Sequence, residues 1–63
     1  MITLLNNYMN GNLTTARKQA RRFSHRAIRE ALQESFGYSP EKSALTADYL
    51  KTGEGFQAAC DAH

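Results

Sequence analysis

Sixty-three residues, 41% of them hydrophobic, and a formal net charge of +2 set the first limits. A chain this short buries only about 60% of its unfolded surface, which excludes a two-domain enzyme, a nucleotide-binding α/β fold and any barrel around an active site. Nine of the hydrophobic residues are Ala, Val and Trp are missing, and Ile2 and Ile28 are the only β-branched apolar residues, a composition that predicts one all-α domain over residues 1–63.

The first predicted element is a short helix over residues 2–9, where Ile2, Leu5, Tyr8 and Met9 recur at helical spacing. Asn10-Gly11-Asn12 reads as a turn, because Asn and Gly tolerate positive φ. Residues 13–36 are predicted as one long helix, capped by Asn12 or Thr14 and carrying the rest of the fold. Gly37 suits the position just past a helix end, Ser39 suits an N-cap, and Pro40 and Glu41 suit the first turn of the next helix. A second helix over 40–52 should return antiparallel, with Ala44, Ala47 and Leu50 on one side and Leu45 and Tyr49 beside them. Gly53-Glu54-Gly55 ends it, since two glycines in three residues cost roughly 2 kcal/mol of helix propensity. A last, weak helix over 55–62 should turn Phe56, Ala59 and Cys60 inward.

On a helical wheel with Phe23 at zero, Leu13, Ala16, Ala20, Ala27 and Ala31 fall between about 20° and 80°. Lys18, Arg21, Arg22, His25, Arg26 and Arg29 fall between about 160° and 300°. The predicted long helix thus has a smooth Ala face for close packing and an opposite cationic face. Ile28 lies near 140°, and Leu32 and Phe36 also lie off the stripe, so the apolar face should wrap round the helix towards its C-terminal end, which should be the most buried part.

Charge is strongly divided. Arg17, Lys18, Arg21, Arg22, Arg26 and Arg29 give residues 1–29 a charge of +6, while residues 30–63 hold all six acids and carry −4. Such a face can be merely solvated, can dock on an acidic protein, or can track phosphates on nucleic acid. Arg17, Lys18, Arg21, Arg22, His25, Arg26 and Arg29 are the candidate partner-binding residues, with an acidic protein favoured and nucleic acid the alternative. Only Phe23 interrupts the basic run, so base stacking has no platform. A helix-turn-helix over residues 31–50 fits poorly: Gln33 and Ser43 occupy positions that want small and branched apolar residues. The would-be recognition helix also balances Glu41 and Asp48 against Lys42 and Lys51.

No catalytic set emerges, and the chain is expected not to be an enzyme. Ser24 and His25 are adjacent and point about 100° apart on a helix, which prevents proton sharing. Arg26 and Glu30 are spaced for an i, i+4 ion pair. Cys60, His25 and His63 are too few for a structural zinc site, and one cysteine forms no internal disulfide, so neither metal nor cofactor is expected. With a thin core and no staple, self-association is the expected extra source of stability. No apolar run approaches the ~18 residues of a membrane span, and the apolar-rich residues 1–9 lack a basic start and contain Asn6 and Asn7, unlike a targeting signal, which predicts a cytoplasmic protein without membrane contact.

The stretches GNLTTARKQARR, AIREALQESFGYSPEKSALTADYLK and GFQAACDA together make up most of the chain. They resemble the small early-region accessory proteins of lambdoid phages and prophages. The resemblance implies a protein made early in infection that alters host physiology, or the choice between lysis and lysogeny, by binding something in the host cytoplasm. It carries over no site residues.

Overall fold

The computed structural model describes residues 1–63 and contains five helices and no strand: α1 (Ile2–Met9), α2 (Leu13–Ala20), α3 (His25–Phe36), α4 (Pro40–Thr52) and α5 (Phe56–Asp61). The all-α expectation holds, and so do the breaks at Gly11, Gly37 and Gly53. The long helix does not. Residues Arg21–Ser24 leave the helical path, and Ser24 adopts an extended conformation (φ −71°, ψ 157°) whose hydroxyl accepts from the Ala27 amide at 3.1 Å. Ser24 is therefore the N-cap of a second helix.

The physical reason lies in the wheel itself. Ala16 and Ala20 are buried in α2, whereas Ile28 and Leu32 are buried in α3. On one straight helix the second pair would sit about 120° round from the first. No straight helix could present both to one core; the turn at Arg21–Ser24 re-aims α3 so that it can. Ala27 and Ala31 are consequently only half-buried, and the Ala stripe ends at Ala20.

Two further inward assignments are corrected. In α1 the buried pair is Leu4 and Leu5, backed by the half-buried Met1 and Tyr8, while Ile2 and Met9 are exposed. Residues 1, 4, 5 and 8 form a tighter helical stripe than 2, 5, 8 and 9, and that stripe wins. In α5 only Ala59 is buried; Phe56 and Cys60 lie at the surface.

Helix α4 is the centre of the assembly, packed against α2, α3 and α5, while α1 rests on α2. His25 on α3 bonds Asp48 on α4, and Gln33 bonds Ser43, so the two helices run in opposite senses as expected. Ser43 and Thr46 are as buried as Ala47 and Leu50, because an element flanked on several sides needs small side chains to let its neighbours approach. Ser43 satisfies its hydroxyl against Ser39 O (2.9 Å), Pro40 O (3.0 Å) and the Gln33 amide (3.1 Å). Ser39 caps α4 as predicted, accepting from the Lys42 amide, and its hydroxyl also contacts the carbonyl oxygen of His63.

The terminal helix is anchored rather than frayed. Lys42 Nζ donates to Ala59 O (2.9 Å), Ala62 O (3.2 Å) and Cys60 O (3.4 Å), a cation set against the negative end of α5. The Cα radius of gyration is 10.0 Å, close to the ~11 Å typical of a packed chain of this length. No helix is long and apolar enough to cross a membrane.

Candidate cation-lined binding site

The turn at Arg21–Ser24 divides the predicted cationic face into two groups with different surroundings. On α3 the charges meet acids. His25 Nε2 lies 2.6 Å from Asp48 Oδ1, and Arg26 Nε donates to Glu30 Oε1 at 3.2 Å, the i, i+4 pair anticipated from the spacing. Arg29 is half-buried beside the Ile28–Leu32 face, and its Nε is enclosed without a hydrogen-bond partner.

On α2 the charges meet no acid. Arg17, Lys18 and Arg21 form no ion pair; with Thr14, Leu50 and Lys51 they line a polar concavity of about 150 Å³ between α2 and the end of α4. Arg22, in the turn, is exposed and also unpaired. The structure therefore brings together three of the seven candidate residues and adds Lys51, which sequence reasoning had grouped with the acidic half. Lys51 carried no local signal, because its neighbourhood depends on α2 packing against α4.

Arg17 lies against an aromatic face and over a helix end. Its guanidinium lies 6.0 Å from the Tyr49 ring centroid, and Tyr49 in turn packs against Phe56 at 5.0 Å between centroids. Gly53, in the left-handed region at φ +81°, ends α4 directly beneath it. A Cβ on Gly53 would fall 2.1 Å from Arg17 Nη2. Gly53 thus serves both the helix end and the approach of the guanidinium.

A second, apolar concavity of about 380 Å³ opens between α1, α3 and α5, lined by Tyr8, Met9, Leu13, Phe36, Tyr38 and Phe56 with Gly11. Burial pushes the Tyr8 hydroxyl above its ordinary pKa, helped by nearby Tyr38, Cys60 and Tyr49; Tyr38 is raised by burial and by Cys60. The Thr46 hydroxyl lies near enough to Tyr8 to offset part of that rise, yet its Oγ1 completes no hydrogen bond of normal geometry. No three His, Cys, Asp or Glu side chains come together in a group that could hold a metal ion.

At 12 residues α3 has a length that suits the first helix of a helix-turn-helix, but the objections from Gln33, Ser43 and the charge of α4 stand. Lys42 is turned inward to α5, which leaves the surface of α4 with Glu41 and Asp48 against Lys51 alone. The chain matches no protein-family model, no curated protein and no solved structure.

Proposed function

We propose that the protein is a non-enzymatic accessory regulator that docks on an acidic protein of its host cell through Arg17, Lys18, Arg21 and Lys51, with the exposed Arg22 following Arg21 in the turn. One observation carries the reading: the unpaired cations converge on a single concavity, whereas His25 and Arg26 are already occupied by acids. Binding by the α2 group neutralises charges that otherwise repel one another at no cost in existing ion pairs. The resemblance to phage early-region proteins supports a cytoplasmic, stoichiometric role.

Nucleic acid is the alternative partner, and it is the weaker one. A duplex presents phosphates along a line, and the line from Arg17 to Arg29 is interrupted by Asp48 and Glu30. Self-association belongs to the same proposal: only 12 residues are buried, while Ile2 and Met9 stay 75% and 65% exposed, so a second copy has apolar surface to cover. A melting temperature independent of protein concentration would remove that part.

The test is a pull-down from host lysate with and without nuclease, using the parent chain and the Arg21→Met/Lys51→Met variant. A stoichiometric protein that survives nuclease and is lost with the variant is the expected result. Partners that vanish with nuclease would favour the nucleic-acid reading, and equal capture by parent and variant would put the function on another surface.

A further inference from the structure

The concavity between α2 and α4 has a more specific chemistry than a general acidic docking face. Four cations from two helices converge on it, no acid lines it, and the Thr14 hydroxyl completes its wall. At about 150 Å³ it suits one oxyanion with part of its hydration shell, the size of a single anionic group on a partner. A lone carboxylate would leave most of the cationic charge unanswered. A phosphomonoester brings about −1.5 to −2 at neutral pH and three acceptor oxygens. Arg17 and Arg21 offer planar forks matched to such oxygens, Lys18 and Lys51 offer point charges, and Thr14 offers a hydroxyl donor.

The arrangement also separates a terminal phosphoryl group from a polynucleotide backbone. A phosphodiester carries a single charge and repeats along a strand, which calls for a row of cations. Here four free cations line one concavity, and in the row beyond them His25 and Arg26 are already paired with Asp48 and Glu30. Arg17 rests against the Tyr49 ring and over the Gly53 helix end, which directs its guanidinium along this wall of the concavity.

We propose that Thr14, Arg17, Lys18, Arg21 and Lys51 form a binding site for a dianionic phosphoryl group, the chemistry of a phosphorylated side chain or of a free phosphomonoester. This rests on reading the concavity as the docking site, and it names the group recognised there.

The experiment is an amide chemical-shift titration of the full chain at pH 7.5 and constant ionic strength. One arm uses inorganic phosphate. The other uses a short peptide bearing phosphoserine, beside the same peptide with Glu or Ser at that position. Saturable shifts confined to residues 14–21 and 50–53 are expected. Because phosphoserine brings about −1.5 to −2 of charge and three acceptor oxygens where Glu brings one charge and two oxygens, phosphoserine should bind about tenfold tighter than Glu, and Arg21→Met/Lys51→Met should weaken binding at least about tenfold. Both substituted side chains are exposed and form no hydrogen bond or ion pair within the chain, and Arg17→Lys, which keeps the charge but loses the fork, should weaken binding less. Arg26→Met should bind as the parent does. Affinity should also fall as the pH drops through about 6, where the phosphoryl group takes up its second proton.

Tighter binding of the phosphopeptide than of inorganic phosphate assigns the source to a phosphorylated partner; the reverse assigns it to a free phosphomonoester. Equal affinity for Glu and phosphoserine overturns the proposal while leaving the acidic-protein reading intact. Shifts spread equally over Arg26 and Arg29, or no binding of any anion at α2–α4, overturn both.

Discussion

Helices α2 and α3 read as one helix in the sequence, and their fates differ. Both carry cations at helical spacing, but α2 buries only alanines and leaves Arg17, Lys18 and Arg21 without acid partners. Helix α3 buries Ile28 and Leu32, and that rotation brings His25 to Asp48 and encloses Arg29. The comparison teaches that what a basic run does depends on what its helix packs against. The same residue types stay free of acid partners on one side of Ser24 and, at His25 and Arg26, meet acids on the other.

The contrast can be broken most severely through the α3 core. Leu32→Ala should cost about 2–5 kcal/mol, because Leu32 is wholly buried and its removal leaves a cavity; a thermal melt reads it. The next test separates the two apolar phases. Ala20 is wholly buried, so Ala20→Leu should overpack α2 and cost about 1–3 kcal/mol. Ala27→Leu, at a half-buried position beyond the turn, should cost distinctly less. Equal losses from the two variants would mean that the Ala stripe runs on past Ser24.

Gly53 and Gly37 provide a matched pair. Both sit in the left-handed region, so an alanine at either should cost about 1–2 kcal/mol. Only at Gly53 would the added methyl displace the Arg17 guanidinium, since a Cβ on Gly37 meets open space. Chemical denaturation should therefore rank the two alike, while anion binding at α2–α4 should fall for Gly53→Ala alone. Smaller still, Ser24→Ala should cost about 1 kcal/mol through loss of the α3 cap, and Ser24→Asp should restore it.

The mildest probe is alkaline pH. Tyr8 and Tyr38 have folded pKa values raised above 10.0, so the unfolded chain loses these protons first. Their contribution is whole below pH 10 and is lost as the pH climbs through the folded values. Melting temperature should decline above pH 10, and Tyr8→Phe should make the decline shallower.

Much of the fold was legible in single residues. Gly37, Ser39 and Pro40 mark the α3–α4 turn because each chooses a backbone conformation locally, and the lack of β-branched residues excludes a sheet. Ser24 was harder to read. It caps without an acidic or amide residue three places on, so the usual sequence signature of a helix start is missing. The usable sign was that Ile28, Leu32 and Phe36 lie off the Ala stripe; an apolar face that wanders round a wheel also fits two helices in different orientations. The site was half legible for the same reason. Arg17, Lys18 and Arg21 stand out as charge, but Lys51 joins them only through the packing of α2 on α4, and the pairing of Asp48 with His25 and the seating of Arg17 over Gly53 are tertiary.

The central claim is that the basic run is interrupted at Arg21–Ser24, which separates free cations from paired ones. Backbone ¹³Cα secondary shifts test it most directly. Helical shifts from Leu13 to Ala20 and again from His25 to Phe36, with an interruption centred on Phe23 and Ser24, are the predicted result. Unbroken helical shifts from Leu13 to Phe36 would contradict it.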